Sequence, residues 1–383
     1  MRDSPLCLYP WFHQLVNPDG TAIPCCSWNQ SKEHMPNIHH SEFFNSQFMH
    51  DLRAQMLTDQ VPGGCKMCIA GEQAGGFSNR LFSFRRVENY DFDYTDGPKL
   101  IGQELNLSNL CNLRCRMCDS SRSSKWIAED LAFDRPTAKL QKSGWTLSDS
   151  EAQSTRFLTF LGGEPLLHQD QIATSLEKIA EHNRLSTLTV NFNTNLTNRI
   201  QSDLLTLLGK CDRVEINVSI DGVGKLNDYI RSDSVWEELV QNMHWLDQEC
   251  GRTDGFGWIP TNTVTVLNCN KMEEFYRWYD DTNFSAASPP TAPILAWEPW
   301  MFAVNNLPNT VKQTLTARYQ HFATNAKWSA HMQSLSEYLT LPTTGPEDLN
   351  CNEEFWKFTN FLDQRRGTSF DDVNPEMANW LKI

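Results

Sequence analysis

Residues 103–118 read QELNLSNLCNLRCRMC. From Glu104 to Leu107 polar and apolar side chains alternate, the period of a strand with one buried face. The strand-like run Gln103–Leu107 leads directly into a loop with three cysteines spaced CxxxCxxC. Further strand-like runs follow at Phe157–Leu161, Thr187–Phe192, Val214–Ile220, Thr263–Leu267 and Pro293–Trp297. Helical patterns separate them at Gln169–His182, Arg199–Leu208, Val235–Cys250 and Lys271–Tyr279. Strand-like runs alternating with helical stretches predict an α/β fold, a parallel sheet curved into a partial (β/α)6 TIM-like barrel. In that architecture chemistry gathers at the C-terminal ends of the strands.

Three regions follow: a small cysteine-rich α+β domain over 1–95, the partial barrel over 96–305 and a helical C-terminal tail over 306–383. In the first, Asn17-Pro-Asp-Gly20 is a hairpin turn signal. Ser41–Met56 reads as a helix capped at Ser41. In the tail, Thr310–Ala323 and Glu353–Gln364 read as helices, and Asp371–Pro375 as a loop before a short last one.

The 383 residues carry 33 Lys and Arg against 47 Asp and Glu, a net charge of −14, which argues against a nucleic-acid partner. No apolar run approaches the roughly 20 residues of a membrane helix, so no membrane partner is expected. The opening MRDSPLCLYPW lacks the pattern of a signal peptide, and the expected location is cytoplasmic. Eight of twelve cysteines fall within the first 118 residues. In a cytosolic chain such clusters point to metal or redox chemistry rather than to disulfides.

Thiolates are soft ligands that select iron–sulfur clusters, Cu(I) or zinc. Three of them, Cys111, Cys115 and Cys118, match three irons of a [4Fe–4S] cluster with the fourth iron open. Structural zinc prefers four closed ligands; zinc, or three unrelated cysteines, is the alternative. Gly162-Gly-Glu-Pro165 ends the second strand of the series. Its glycines permit close backbone approach, and Glu164 can accept from an ammonium; an ordinary tight turn is the alternative. Asn193-Thr-Asn195 follows the third strand. Ser219-Ile-Asp-Gly222 ends the fourth, with Asp228 and Arg231 beyond it. Ser219 and Asp221 suit ribose hydroxyls, and Arg231 suits a carboxylate; a turn plus a surface salt bridge is the alternative. Gly222-Val-Gly-Lys225 lacks the spacing of a phosphate loop.

The stretch Leu107–Cys118, with the GGEP and SxDG motifs in order after it, resembles the radical S-adenosylmethionine (SAM) superfamily. Met117 stands where that family usually carries an aromatic. The resemblance implies that Cys111, Cys115 and Cys118 ligate a catalytic [4Fe–4S] cluster whose open iron SAM chelates. It implies that Gly162, Gly163, Glu164, Asn193, Asn195, Ser219, Asp221 and Arg231 bind SAM, with Asn268 near the adenine.

The N-terminal frame of Cys7, Pro24-Cys25-Cys26 and Cys65-Lys-Met-Cys68, with Glu72 and Arg80, resembles a twitch domain, a short form of the SPASM domain. This implies one auxiliary [4Fe–4S] cluster on Cys7, Cys25, Cys65 and Cys68, with Cys26 the rival to Cys25 and a four-thiolate zinc site the alternative. In better-known members this domain follows the barrel; here it precedes it.

The implied activity is an oxidoreductase reduced by a flavodoxin- or ferredoxin-type partner. It cleaves SAM to a 5′-deoxyadenosyl radical, abstracts a substrate hydrogen and achieves net oxidation or cross-linking of a peptide or protein side chain. One alternative is a radical SAM dehydrogenase or isomerase acting on a small sugar, aminocyclitol or nucleotide. Another is a non-catalytic, zinc-stabilised binding protein.

Cys211, Cys250, Cys269 and Cys351 read as small buried hydrophobes, and Trp297, Trp300, Trp328 and Trp356 as core. His39-His40 has no partner pair for a metal, and Asp363-Gln-Arg-Arg366 with Asn374-Pro-Glu376 carries no assigned chemistry.

Overall fold

The computed structural model describes residues 4–29, 33, 35–73, 78–88, 90–296, 298–324, 327–343, 345–346 and 349–382. The chain divides into two compact units. One comprises Met1–Leu110, Leu140–Asn193 and Ile200–Glu215, the other Cys111–Lys139, Thr194–Arg199 and Ile216–Ile383.

In the first unit, β1 (His13–Val16) and β2 (Ala22–Ile23) form the expected hairpin, with Leu15 opposite Ile23. Its turn closes through Asn17 N–H to Thr21 O (2.7 Å), with Gly20 at φ +83°. Next come β3 (Gly102–Asn106), β4 (Phe157–Leu161) and β5 (Thr189–Thr194). β3 pairs in parallel with β4, and β4 with β5, as predicted. The N-terminal hairpin joins this sheet: β1 runs parallel to β3, from His13 opposite Gly102 to Val16 opposite Leu105. Leu105, Leu158, Phe160, Val190 and Phe192 are fully buried. The alternate positions form a polar row in register, Glu104 opposite Thr159 opposite Asn191. The helix Gln169–Ala180 buries Ile172, Leu176 and Ile179, the i, i+4, i+7 stripe of an amphipathic helix.

The helix expected over 41–56 is two helices, His40–Phe43 and Gln47–Leu57. The second is capped by Ser46, whose hydroxyl accepts from Met49 N–H at 3.3 Å, and His39 caps the first. Ser41, expected as the cap, lies inside the first helix and gives its N–H to His39, and Ser46 restarts the chain as the second helix.

In the second unit lie Ile216–Ser219, the C-terminal part of β6 (Arg213–Ser219), and its neighbour β7 (Phe256–Thr261). A separate parallel pair joins β8 (Thr263–Val264) to β9 (Ile294–Leu295). The fifth main strand therefore precedes the expected Thr263–Leu267, of which only two residues are extended in a strand. Gly255, Gly257 and Pro260 hide β7 from propensity reasoning. Fully buried Trp258 anchors it, donating to Asp247 at 3.0 Å. Thr265–Asn268 turns instead, with Thr265 N–H bonded to the Asn268 carboxamide oxygen at 2.8 Å. The strand expected at Pro293–Trp297 shrinks to two residues, and Trp297 lies outside the described residues.

The tail is helical as expected, with Asn309–Phe322, Cys351–Arg366 and Pro375–Leu381. Ser329–Leu339 is an additional helix, and Phe370–Val373, expected as loop, is one helical turn capped by Ser369. Asn374 caps the last helix and donates to Leu267 O at 2.9 Å. Trp328 is buried as expected, stacked on Tyr276, while Trp300 and Trp356 are half-buried. Among the described residues no helix is long and apolar enough to cross a membrane.

Candidate active site

In the first unit the Gly162–Pro165 turn is fastened to the extension of β3. Leu107 N–H donates to Leu161 O (3.1 Å), Gly163 N–H to Ser108 O (2.7 Å) and Glu164 N–H to Leu110 O (2.9 Å). This close pairing explains both glycines. A Cβ on Gly163 would lie 2.3 Å from Leu110 O, and one on Gly162, at φ +145°, 2.7 Å from Ser108 O. Glu164 is buried, and its Oε1 accepts from Leu166 N–H at 3.0 Å, capping the turn Pro165–Leu167. Asn193 is exposed near the end of β5.

In the second unit Cys111, Cys115 and Cys118 form one small cluster with Leu113 and Met117. Cys118 N–H bonds Cys115 O at 2.9 Å, and the Trp126 indole N–H donates to the same oxygen at 2.9 Å. Asn195 lies beside Cys111, its Nδ2 4.0 Å from Sγ and 3.0 Å from Asn112 Oδ1. Its Oδ1 accepts from Thr197 N–H and Oγ1 at 3.0 and 2.7 Å. Arg231 Nη1 donates to Cys115 Sγ at 3.8 Å, and its Nε faces Asp221 Oδ2 at 2.7 Å. Burial alone would lower the Arg231 pKa; the Asp221 carboxylate and the three nearby thiols outweigh it and raise it. The Cys115 thiol is lowered by its hydrogen bond with Cys118, against burial and with help from Arg231.

Asp221 is fully buried, and its Oδ1 accepts from Thr263 N–H at 2.8 Å. Ser219, half-buried, ends β6. Asp228 accepts from Trp236 N–H at 3.0 Å, the first amide of the helix Trp236–Arg252. Asn268 spends its amide on Asp221 O (2.8 Å) and Thr263 O (2.9 Å) and shapes this loop.

The first unit also gathers the N-terminal thiols. Burial pushes the Cys7 thiol up to about 12, and Cys68 adds to the rise. Burial, then the thiols of Cys26, Cys7, Cys65 and Cys68, push Cys25 well up. Cys65 is raised by burial and by Cys7 and Cys68. Cys26 is raised by burial, then by Glu104, and accepts from Asn79 Nδ2 at 3.2 Å. Cys7, Cys25, Cys65 and Cys68 thus share one neighbourhood.

The Cys7 segment is held by Arg80, which donates to Ser4 O (2.7 Å) and Leu6 O (2.9 Å) while paired with buried Glu72. Ser83 Oγ receives Leu8 N–H at 2.9 Å and lies 3.7 Å from Cys7 Sγ. Gly64 makes room for Trp28, whose ring lies 2.4 Å from where a Cβ would stand. Ser83 and Asn79, like Arg114, Arg116 and Glu129 around the CxxxCxxC loop, carry no motif that marks them in the sequence.

Residues 105–264 match the family model of the Radical SAM superfamily. The chain carries a radical SAM domain. No match was found among curated protein sequences. Among solved structures, this chain is similar to hexahistidine-tagged anSMEcpe with bound AdoMet, at 14% identity and TM-score 0.42 over 59% of this chain and 60% of that one. It is also similar to Streptococcus suis SuiB bound to S-adenosylmethionine, at 13% identity and TM-score 0.35 over 66% of this chain and 53% of that one. The chain spans about half of native anSMEcpe with bound AdoMet, at 16% identity and TM-score 0.35.

The residues present fit the family's cofactors. Three soft thiols share one loop beside a buried cation, and the glycine turn has the backbone closeness that a Cβ would abolish. Among the described residues no three His, Cys, Asp or Glu side chains converge on a single-ion site. The cysteines of a four-iron cluster each bind a different iron and need no such convergence.

Proposed function

We propose that this radical SAM enzyme oxidises or cross-links a peptide or protein side chain, using a catalytic [4Fe–4S] cluster on Cys111, Cys115 and Cys118. One auxiliary [4Fe–4S] cluster sits on Cys7, Cys25, Cys65 and Cys68. The observation that carries the reading is the gathering of those four thiols, Cys7, Cys25 and Cys65 in one core with β1 and β2 and Cys68 among their neighbours. When bound, the cluster and SAM would supply a 5′-deoxyadenosyl radical for hydrogen-atom abstraction, and the auxiliary cluster would supply an acceptor for the electron left behind.

The protein's part is placement. Glu164, fixed by the turn it caps, offers a carboxylate to the SAM ammonium. Arg231 keeps a positive charge beside Cys115 for the SAM carboxylate, and Asp221 fixes its orientation. Asn195 and Thr197 brace Asn112 next to Cys111. Asn193 and Ser219, at two strand ends, complete the SAM set. Cys111 and Cys115 are buried, which would limit water around a cluster held there.

The test is dithionite-driven formation of 5′-deoxyadenosine with three added pools: synthetic peptides, aminocyclitols and sugars, and nucleosides. Stimulation by the peptide pool is expected. Stimulation by either small-molecule pool alone would overturn the peptide reading.

A further inference from the structure

The tail motif Asp363-Gln-Arg-Arg366 lies far in sequence from the CxxxCxxC loop yet meets it within the second unit. Arg114 and Arg116 flank Cys115, and each is bound to one end of the motif.

Arg116 is fully buried and donates from Nη2 to Asp363 Oδ1 at 2.5 Å and to Thr368 Oγ1 at 2.8 Å. Its Nε donates to Tyr229 O at 3.0 Å, and its guanidinium lies 3.5 Å from the Tyr229 ring centre. The Tyr229 hydroxyl and Phe370 N–H bind the other Asp363 oxygen at 3.2 and 2.9 Å. Arg366, one helical turn on, donates to Arg114 O at 2.8 Å and to Ser232 Oγ at 2.9 Å. It also pairs with Glu129 through Nε (3.0 Å) and Nη2, with both side chains at least 96% buried. Glu129 in turn accepts from Arg114 Nη1 at 3.2 Å. Trp126, which donates to Cys115 O, carries Arg366 over its ring at 4.9 Å and stacks on Phe358 of the tail helix.

We infer that Asp363 and Arg366 are positioning residues for the catalytic cluster: the tail grips the chain on both sides of Cys115 and holds the three thiols in the conformation that receives iron. Each grip uses a charge-assisted hydrogen bond largely shielded from water, an environment that strengthens such bonds. Residues 363 and 366 share one face of the helix Cys351–Arg366, so a single rigid element fixes both flanks at once. The inference rests on the cluster assignment above, but its first test needs no iron.

Hydrogen exchange of the full-length apo chain, followed by mass spectrometry, reads the loop directly. The variants are Asp363→Asn, and Arg366→Met combined with Glu129→Gln so that no buried carboxylate is stranded. Amides of 111–118 should exchange about tenfold faster, while peptides from β7 stay as in the parent. Unchanged exchange at 111–118 overturns the inference. Equal acceleration in β7 also overturns it, because the tail would then only stabilise the unit. After anaerobic reconstitution, the electron paramagnetic resonance signal that shifts on adding SAM should fall to half or less. An undiminished signal contradicts the positioning role. If the parent forms no cluster at all, the functional reading fails while the exchange result still decides this one.

Discussion

Replacing Gly163 by Ala places a methyl carbon 2.3 Å from Leu110 O, 2.6 Å from Leu110 C and 2.9 Å from Asn109 C. All three are backbone atoms of the segment entering the cysteine loop, so no rotamer change relieves the clash. Either the turn or residues 109–110 must retreat by about 1 Å, a displacement typical of overpacking that costs roughly 1–3 kcal/mol. That retreat stretches Gly163 N–H to Ser108 O and Glu164 N–H to Leu110 O, at 2.7 and 2.9 Å in the parent. Thermal unfolding should drop by roughly 2–12 °C, at 2–4 °C per kcal/mol for a chain beyond small-domain size. SAM affinity, measured by calorimetry on the reconstituted protein, should fall about tenfold, which corresponds to about 1.4 kcal/mol of lost placement. A Gly163→Ala protein with parental unfolding temperature and SAM affinity would refute the claim that this turn needs glycine for close approach.

Three further outcomes are expected. Asp221→Asn removes the carboxylate facing Arg231 and leaves a buried guanidinium uncompensated, so SAM binding should weaken more than tenfold, read by calorimetry. Glu151 bonds His40 at 2.7 Å and Ser148 N–H at 2.8 Å, and these bonds outweigh burial to hold its carboxyl below the ordinary range. A depressed folded pKa gives stability that is fully present above about pH 4.5 and is lost as pH falls through the folded value; in urea titrations Glu151→Gln should flatten that acid loss. Burial raises Cys211, Cys250 and Cys269 to about 12 and Cys351 to about 11. At pH 8 their thiolate fraction is about 0.1% or less, so iodoacetamide followed by peptide mass mapping should leave all four unmodified in the folded chain.

Much of the fold was legible because one physical signal dominated it. Phe157–Leu161 and Val214–Ile220 are short apolar or alternating runs with helices between them, and both are strands within one residue of the expected bounds. β7 was illegible because its Gly and Pro content masks a strand that one buried tryptophan anchors. The parallel pairing of β1 with β3 was hidden because His-Gln-Leu-Val shows no alternation, all four residues being buried. At the site, thiols and glycines were readable from spacing, since chemistry fixes both residue type and interval. The sequence could not show that Asp221 faces inward to Arg231, nor that Arg116 reaches Asp363 across 247 residues. Those pairings depend on tertiary geometry, and no local pattern encodes them. Asp363-Gln-Arg-Arg366 stood out as a motif, yet its partners lie in other segments.

The central claim is two iron–sulfur sites in one chain, one at the CxxxCxxC loop and one on the N-terminal cysteines. Iron and acid-labile sulfide should be counted per chain after anaerobic purification and reconstitution, in the parent and in a Cys7→Ala, Cys65→Ala variant. The account predicts about eight of each in the parent and about four in the variant, with reductive SAM cleavage retained in both. About four of each in the parent with zinc bound, or no iron after full reconstitution, would contradict it.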